Sequence, residues 1–400
     1  MRSHQFNVRG VTPSVHRLSM LGDGGKSQHQ IIGKIVCVTP FDLFFMWVFA
    51  LECRIIFLLG NCVETLKISQ DTLIEAVEQL HSIRDFIRFV VSALRENEVH
   101  LGQGTEDYFA EATALVMQSL SLDWSADEQI LDSRLLTSEK KRIIELLAQR
   151  INSRIPLGYL VNLAYFCGQP YYVDERVLIP RSPIAELINQ RFLPYCTDGQ
   201  IDPNTPVSNG LPSLPQPFQP ERILDLCTGS GCIAVALAYA FIDATVDAVD
   251  LSRDALSVAS INVSHHLKDD QVALIESNLF DKIPAQQQYD LIVSNPPYVD
   301  AADMAELPQE FQHEPEMALA AGQDGLDLVR KILLQAADYL SPRGLLVVEV
   351  GNSEWALRQS LPKVPFHWIT FSQGGMGVFA LTAAECVQYR EEFKRAVLEQ

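Results

Sequence analysis

The sequence lacks any cysteine pattern typical of a metal site or a disulfide framework. Its eight cysteines form no Cys-x-x-Cys pair and no cluster with histidine at zinc-ligand spacing. Cys227 and Cys232 flank a glycine-rich loop, where the turn requires small residues, so we do not interpret them as a redox pair. Scattered thiols in a chain of 400 residues are typical of a reducing compartment. We therefore expect a cytoplasmic protein without a bound metal.

Positive charge is also scarce in this chain. Lysine and arginine together number 31 against 50 acidic residues, which gives a formal net charge of -19. An acidic surface repels phosphate backbones and attracts basic partners. The composition thus argues against a free nucleic-acid substrate and favours a basic protein substrate. A length of 400 residues with 48% hydrophobic residues is enough for two folded domains.

One apolar run near the N-terminus, residues 43–60, reaches membrane-spanning length. Glu52 and Arg54 lie in its middle, and both charges would be costly in lipid, which disfavours a membrane anchor. The run lies too far from the start for a cleaved signal sequence and lacks a small-residue cleavage site. We interpret residues 1–62 as an atypical extension from a start codon assigned too early, and we expect no membrane partner. The solubility and activity of a chain beginning near Val63 would test this.

Residues 63–155 are predicted to form a small helical bundle. From residue 70 onward, apolar residues recur at spacings of three and four, which makes one apolar helix face. A second helical stretch opens at Thr105, and Thr137 is predicted to cap a third. The apolar positions of the first stretch are Leu73, Val77, Leu80, Ile83, Ile87, Val90 and Leu94.

The next two segments connect this bundle to the rest of the chain. Residues 156–194 begin with aromatic and branched residues that alternate over 157–181, which predicts a short β-hairpin linker, followed by a helix over 184–192. Residues 195–220 contain six prolines and are predicted to be a surface loop.

Residues 221–390 show strand patterns that alternate with helical ones. The candidate strands are 222–226, 245–249, 272–275, 290–294, 344–350, 366–371 and one near 378–381. Such alternation predicts an α/β fold with a doubly wound, mostly parallel sheet. Ligands of such folds bind at the carboxyl ends of the strands, at the point where the strand order reverses.

A glycine-rich loop over 227–232 follows the first of these strands and precedes a helix. Glycines at such a position let the backbone approach a ligand closely. The spacing also fits a dinucleotide fingerprint, and a plain strand-to-helix turn remains an alternative. We predict that Thr228, Gly229 and Gly231 contact a nucleotide-like cofactor.

Acidic residues at two strand ends indicate which cofactor this is. Asp250 ends the next strand, nineteen residues after Gly231, where it can accept both hydroxyl protons of a ribose. Asp225 precedes the glycines, where it would disfavour a pyrophosphate and favour a cationic amino-acid tail. The pair therefore fits S-adenosylmethionine better than a dinucleotide. Asn278 and Leu279 follow the third strand and are predicted to meet the adenine, although an ordinary turn fits them equally well.

The fourth strand runs into Asn295-Pro296-Pro297-Tyr298, the tetrad that carries the predicted chemistry. Two prolines fix the backbone and remove two N–H donors, which leaves the Asn295 side-chain oxygen and the Pro296 carbonyl as acceptors. A planar amino group offers two hydrogens and needs two such acceptors, and Tyr298 supplies an aromatic face for it. Positioning of a poorly nucleophilic nitrogen then does most of the catalysis. We predict Asn295, Pro296 and Tyr298 as catalytic residues, with Asn295 also contacting the cofactor.

Four segments of the chain together resemble the protein glutamine N5-methyltransferases over about residues 65–385. They are RIPLGYLVNLAYFCGQPYYVDERVLIPRSPIAELINQRF at 154–192, DLCTGSGCIA at 225–234, NPPYVD at 295–300 and EFQHEPEMALAAGQDGLDLVRKIL at 310–333. The resemblance is closest to the branch that methylates large-subunit ribosomal protein 3. The sister branch acts on peptide release factors and typically has Pro-(Glu/Asp)-Thr where this chain has Ser182-Pro183-Ile184, and a glycine in place of Cys227.

The resemblance implies a helical substrate-recognition domain, a hairpin linker and a Rossmann-like, seven-stranded catalytic domain that binds S-adenosylmethionine. It implies that Asn295, Pro296 and Tyr298 bind the glutamine and that Gly229, Gly231 and Asp250 contact the cofactor. To the substrate site we add Pro297, within the tetrad, and Arg181, within the segment 154–192.

Three functions remain open on the sequence alone. The first is methylation of a glutamine in a ribosomal protein or, in the sister branch, in a release factor, without direct nucleic-acid contact. The second is N6-methylation of adenine, because the same tetrad grips its exocyclic amine, and that function predicts a basic groove. The third is a non-catalytic assembly factor, which the intact glycine loop, Asp250 and Asn295 disfavour.

Overall fold

The computed structural model describes residues 68–122, 127–196, 210–212, 218–268, 270–372 and 374–398. The extension 1–62 and its apolar run at 43–60 lie outside these ranges, as does most of the proline-rich loop. Among the described residues, no helix has the length and apolar character needed to cross a membrane.

Among the described residues of the front region there are four main helices where the sequence predicted three. They are α1 (Gln70–Gln79), α2 (Ile83–Glu96), α3 (Tyr108–Ser119) and α4 (Thr137–Asn152). The first predicted helix is broken because Ser82 caps α2. Its hydroxyl accepts from the Asp85 N–H at 3.1 Å, and the Asp85 carboxylate accepts from the Ser82 N–H at 2.9 Å. This reciprocal cap is visible in the sequence as Ser-x-x-Asp.

Two predicted helix starts in this region are wrong. Helix α3 begins after Asp107, whose carboxylate accepts from the Phe109 N–H at 2.8 Å, whereas the Thr105 hydroxyl donates to Glu111. Helix α4 has Thr137 as its first residue, and Leu136 occupies the cap position. In the first case the Asp107 carboxylate takes the capping role two residues after Thr105, and in the second the Glu139 carboxylate accepts from the Leu136 N–H at 2.7 Å.

The linker contains a helix as well as the predicted hairpin. Helix α5 (Leu157–Val161) precedes the antiparallel strands β1 (Ala164–Phe166) and β2 (Gln169–Tyr171), and α6 (Ile184–Asn189) follows. Within the predicted hairpin region 157–181, only β1 and β2 are strands, and its apolar ends at 159–161 and 177–179 are not. Short apolar runs are buried in either conformation, so their pattern does not separate helix from strand. The domain boundaries given above stay predictions.

Within the part of the chain that the structure describes, seven strands form one sheet, as the sequence predicted. They are β3 (Arg222–Leu226), β4 (Thr245–Asp250), β5 (Val272–Glu276), β6 (Tyr289–Ser294), β7 (Leu340–Glu349), β8 (His367–Trp368) and β9 (Val378–Thr382). Their order across the sheet is β5-β4-β3-β6-β7-β9-β8, and only β9 pairs antiparallel with its neighbours. Strand β8 is shorter than the predicted 366–371. The order reverses between β3 and β6, so a crevice opens at their carboxyl ends.

Alternate residues of the central strands pack against helices on opposite faces of the sheet. Ile223 packs in a cluster with α7 (Cys232–Ala240), whereas Leu224 packs with α10 (Asp327–Tyr339) on the other face. Each fully buried side chain of this kind stabilises the fold by roughly 1.5–3 kcal/mol. The remaining helices are α8 (Arg253–His265), α9 (Ala301–Glu306), α11 (Glu354–Ser360), α12 (Ala383–Gln388) and α13 (Arg390–Leu398). The two-sided core holds the strand ends, and therefore the crevice, in place.

Candidate active site

A cavity of about 350 Å³ lies at the carboxyl ends of the central strands. Most of the residues predicted to bind the cofactor line it: Thr228, Gly229, Asp250, Asn278, Leu279 and Asn295. Its volume is within the usual range for a small-molecule site. We refer to it as the cofactor cavity.

The glycine loop forms one wall of this cavity. Gly229 has φ +55°, and a Cβ added there would meet nothing within 4 Å, so the backbone is open toward a ligand. Gly231 is not among the residues that line the cavity, and its predicted contact with the cofactor stays a prediction. It has φ +78°, and an added Cβ would lie 3.1 Å from the Ala259 Cβ, so its small size serves the packing of α7 against α8. Cys227 and Cys232 are free thiols, as expected for residues chosen for size.

Asp225 is completely buried at the end of β3. One carboxylate oxygen, Oδ2, accepts from the Thr228 hydroxyl at 2.5 Å, whereas the other, Oδ1, has no hydrogen-bond partner. Burial raises the pKa of Asp225 to about 7. An unpartnered buried oxygen is costly, and a cationic group bound beside it would remove that cost. Asp225 itself is not among the residues that line the cofactor cavity, but its bonded neighbour Thr228 is. An orphaned oxygen next to that wall fits the amino group of S-adenosylmethionine.

Asp250 closes the adjacent side of the cofactor cavity. Its Oδ2 accepts from the Gly229 N–H at 2.9 Å and its Oδ1 accepts from the Ser252 N–H at 2.8 Å. Burial raises the pKa of Asp250, and the backbone N–H groups of Ser252, Gly229 and Leu251 oppose that effect. Each carboxylate oxygen keeps a second lone pair, so both can still accept from ribose hydroxyls. The backbone bonds fix the direction in which those lone pairs point.

Asn278 and Leu279 line the cavity after β5. The Asn278 amide donates to the Asp281 carboxylate at 3.2 Å, so part of its hydrogen-bonding capacity belongs to the turn itself. Leu279 has a left-handed backbone conformation, with φ +50°, and is an apolar residue of the cavity wall. Asn278 offers an amide for hydrogen bonds and Leu279 offers an apolar surface, and a planar adenine ring could use both.

A second cavity of about 360 Å³ lies on the other side of the tetrad. Asn295 lines both cavities, Pro296 and Tyr298 line only the second, and Pro297 lines only the first. We name the second one the acceptor cavity. Pro297 is therefore on the cofactor side, not among the groups that would touch a substrate in the acceptor cavity. No described group hydrogen-bonds to the Asn295 carboxamide, which is left available for a ligand.

Tyr298 is held from three sides. Its hydroxyl donates to Glu349 Oε1 at 3.1 Å, and its carbonyl accepts from the Ser353 hydroxyl at 2.8 Å. Gly351 lies against its ring, because a Cβ added there would be 2.4 Å from the Tyr298 Cε2. The ring is thus fixed before any substrate arrives.

Arg181 lines both cavities, but its charge is already paired. Its two terminal nitrogens donate to the two oxygens of Glu314 at 2.6 and 2.9 Å, and it lies over the Phe311 ring. Glu314 also accepts from the Ile179 N–H at 3.1 Å. A paired guanidinium is a poor anion site, so Arg181 serves as part of the wall rather than as a free charge.

Sequence reasoning assigned no role to Glu314, Glu349, Gly351 or Ser182. Glu314 belongs to the segment 310–333, which carried part of the resemblance, so the signal was present without a partner to explain it. Glu349 ends a buried strand and looks like an ordinary strand terminus. Within the described ranges, no group of three or more histidine, cysteine or acidic residues is placed to hold a metal.

Known proteins similar to this chain are methyltransferases. A family model described as "Methyltransferase small domain" matches residues 199–325. A ribosomal protein uL3 glutamine methyltransferase of Francisella tularensis subsp. tularensis is 45% identical over 327 residues, which span 82% of this chain and 98% of that protein. The protein of that name from Bordetella pertussis is 42% identical over 305 residues, or 76% of this chain and 96% of its own length.

Among solved structures, the ribosomal protein L11 methylase of Lactobacillus delbrueckii subsp. bulgaricus is also similar. It is 19% identical, covers 41% of this chain and 69% of its own, and superposes with a TM-score of 0.28. At that overlap the similarity bears on neither the substrate nor the reaction.

Proposed function

The chain belongs to the family of the ribosomal protein uL3 glutamine methyltransferases, and from that premise we propose that it methylates the side-chain nitrogen of a glutamine in ribosomal protein uL3 with S-adenosylmethionine as donor. The single observation that carries the proposal is that Asn295 lines both the cofactor cavity and the acceptor cavity. A methyl donor on one side and an amide on the other would meet at this residue.

The residues of the acceptor cavity suit an amide nitrogen. When bound, S-adenosylmethionine supplies a methyl group on a positively charged sulfur. Asn295 Oδ1 and the Pro296 carbonyl accept the two amide hydrogens and aim the nitrogen across the tetrad. The Tyr298 ring lies beside the planar amide and stabilises the positive charge that develops on nitrogen. Positioning supplies the catalysis, and no general base is required before methyl transfer.

The charges around the acceptor cavity favour a protein over a nucleic acid. Among described residues lining it, Arg181 is the one cation, and Glu314 neutralises it. Asp303 and Glu306 line the same cavity, so a phosphate backbone would be repelled. N6-methylation of adenine in nucleic acid would require the opposite charge. The cytoplasmic location predicted from the scattered cysteines is part of this proposal.

The test is methyl transfer from labelled S-adenosylmethionine to uL3, to a peptide release factor and to nucleic acid, in parallel. We expect label in uL3, and mass spectrometry of its peptides should place one added methyl group on a glutamine. A uL3 variant with that glutamine replaced by glutamate is the matched control and should stay unlabelled. Label in the release factor or the nucleic acid alone would overturn the proposed substrate, and no label anywhere would favour a binding role.

A further inference from the structure

A buried carboxyl group lies behind the tetrad. Glu349 is 4% exposed and ends β7. Strand β7 pairs with β6 in a register that places Val348 opposite Ser294, so Glu349 is level with Asn295 on the neighbouring strand. The sheet therefore brings this carboxyl group to the same edge as the predicted catalytic residues.

Both oxygens of Glu349 accept hydrogen bonds from hydroxyl groups. Tyr298 donates to Oε1 at 3.1 Å, and Ser182 donates to Oε2. The Ser182 oxygen itself accepts from the Ile184 N–H at 3.2 Å, so its own proton is directed to the carboxylate. Ser182 and Tyr298 thus hold Glu349 between the linker and the tetrad.

The burial of Glu349 is unusually costly for the fold. Within the described part of the chain, no lysine, arginine or histidine forms an ion pair with it. A buried carboxylate held by two hydroxyls alone is less well compensated than one paired with a cation. Such groups concentrate at functional sites, where their chemistry offsets the loss of stability. This cost motivates the search for a role in the reaction.

We propose that Glu349 is a positioning residue for methyl transfer, which acts through the Tyr298 hydroxyl. The inference rests on the proposed function and deepens it. By accepting the phenol hydrogen bond, Glu349 holds the ring at the angle that places its face along the acceptor amide. A phenol that donates to a carboxylate also carries more negative charge on its ring face, which strengthens its attraction for the positive charge developing on nitrogen.

The other contacts of Tyr298 leave this role to Glu349. Ser353 fixes the carbonyl and Gly351 supports one edge of the ring, but the only hydrogen bond recorded for the hydroxyl, among described residues, goes to Glu349. That hydroxyl donates to a carboxylate that is not among the residues lining the acceptor cavity. It therefore acts on the substrate through the ring and not as an acid or base.

A double-mutant cycle separates this role from a purely structural one. We expect Glu349→Gln to lower kcat for uL3 methylation about tenfold, because the side chain keeps its shape and loses its charge. Tyr298→Phe should lower kcat at least as much. In the double variant the two losses should not add, because the carboxylate acts through the hydroxyl. Additive losses, or a Glu349→Gln enzyme with the wild-type kcat, would overturn the proposal.

Cofactor binding and a remote carboxyl group serve as controls. The dissociation constant of S-adenosylhomocysteine should be unchanged in each variant, which shows that the fold is intact. Ser182→Ala, which removes the second hydroxyl and keeps the tetrad whole, should lower kcat about threefold. Glu385→Gln is the matched control, since Glu385 also accepts a threonine hydroxyl at 2.8 Å but caps α12 away from both cavities, and it should leave kcat unchanged.

The pH profile gives a second reading. Burial raises the pKa of Glu349, while the bonds from Ser182 and Tyr298 and the nearby charge of Arg181 oppose the rise. Glu314 faces Arg181 and reduces its effect. Measured at saturating S-adenosylmethionine, wild-type kcat should fall as the pH is lowered through that raised pKa, and the acid limb should be absent in Glu349→Gln. An identical acid limb in both proteins would overturn the proposal.

A spectroscopic measurement distinguishes failure of this inference from failure of the proposed function. In protein labelled at the tyrosine ring carbon that bears the hydroxyl, the Tyr298 signal is identified by its absence in Tyr298→Phe. It should shift in Glu349→Gln and not in Glu385→Gln. If uL3 accepts no methyl group but this signal shifts, the substrate is wrong and the contact stands. If uL3 is methylated and the signal does not shift, the positioning role is wrong.

Discussion

The two cavities that meet at Asn295 differ in how their polar groups are partnered. On the cofactor side, Asp225 keeps an unpartnered oxygen and Gly229 faces open space. On the acceptor side, the Tyr298 hydroxyl is bound to Glu349, and the Arg181 guanidinium is bound to Glu314. The cofactor side thus keeps a buried carboxylate oxygen for a ligand to complete, whereas Tyr298 and Arg181 on the acceptor side are already bound and the Asn295 carboxamide stays available.

This difference follows from what each side must do. A buried carboxylate oxygen without a partner destabilises the ligand-free protein. A cationic cofactor that binds to it removes this penalty, and the oxygen therefore favours binding. Methyl transfer to an amide is faster when the residues around the amide are fixed, because they hold its nitrogen in line with the methyl group. The contacts that fix the acceptor wall come from distant parts of the chain: 133 residues separate Arg181 from Glu314, and 167 separate Ser182 from Glu349.

The largest effect should come from displacing the fixed ring. Gly351→Ala would place a Cβ 2.4 Å from the Tyr298 Cε2, at a backbone φ of +43°. We expect kcat to fall about 100-fold, because the ring must move by a large fraction of an ångström. Gly168→Ala is the matched control, since Gly168 has φ +75° and open space, and kcat should be retained there. Equal losses in the two variants would mean that backbone strain alone is responsible.

The next effect tests the open oxygen on the cofactor side. Asp225→Asn should weaken S-adenosylmethionine binding about 10- to 100-fold, because the cationic amino group loses a buried charged partner. The wild-type affinity should fall as the pH drops below about 7, where Asp225 takes up a proton. In Asp225→Asn this pH dependence should disappear, as calorimetric titration at several pH values would show. An unchanged dissociation constant would place the amino group elsewhere.

Asp225 should also control the stability of the ligand-free protein. Its folded-state pKa of about 7 is above the ordinary 3.8, so the folded protein binds a proton that the unfolded chain releases between these values. Stability therefore falls as the pH rises through this window, and the full penalty, on the order of 2–4 kcal/mol, is present above about pH 7. Thermal denaturation should find Asp225→Asn more stable than wild type near pH 8 and equal to it near pH 4. Equal melting temperatures at both pH values would contradict the account.

Much of this site was predictable because its residues belong to short contiguous segments, each with a recognisable sequence pattern. The strands, the loop after β3 and the tetrad after β6 are contiguous in sequence, so Asp225, Gly229 and Asn295 were predicted from spacing, and the structure brings them to one edge of the sheet. Ser82 and Asp85 indicate that a new helix begins at residue 83. The apolar spacing continues across this point, and for that reason one continuous helix was predicted.

The unpredicted part depends on pairs that are far apart in the chain. Glu314 and Glu349 look like ordinary acids until the fold places Arg181 and Tyr298 beside them. A glycine in such a loop either lets the backbone approach the ligand or leaves room for the helix that follows. The sequence pattern is the same in both cases, and it led to the prediction that Gly231 contacts the cofactor. Only the position of Ala259 decides between those two uses.

A smaller effect on kinetics should follow from removing the contacts of Glu310, whose neighbour in the chain, Phe311, lines the acceptor cavity. Glu310 is buried and accepts from the Arg154 guanidinium at 3.2 Å and the His100 N–H at 2.9 Å, which ties the segment beside Phe311 to the helical region. Glu310→Gln should raise KM for uL3 about fivefold and destabilise the protein by about 3 kcal/mol, with cofactor affinity unchanged. Steady-state kinetics and urea unfolding measure both. The exposed Glu316→Gln is the control, and an equal KM in both variants would count against a role for the helical region.

The smallest effect should come from Asn278. Its Nδ2 donates to Asp281 at 3.2 Å, and the carbonyl oxygen that remains can add one neutral hydrogen bond to the cofactor. We expect Asn278→Ala to raise the dissociation constant of S-adenosylmethionine only about threefold. A loss as large as that of Asp225→Asn would show that the adenine end, and not the amino-acid end, dominates cofactor binding.

The most direct test of the central claim is the response of Asn295→Ala in two measurements on one preparation. Single-turnover methyl transfer to uL3 at saturating S-adenosylmethionine reports on the acceptor side, and the dissociation constant of S-adenosylhomocysteine reports on the cofactor side. We predict that transfer falls at least about 100-fold while the dissociation constant stays within about threefold. A variant that transfers at the wild-type rate, or one that loses both properties together, would contradict the assignment of Asn295 as the residue that holds the acceptor amide for transfer.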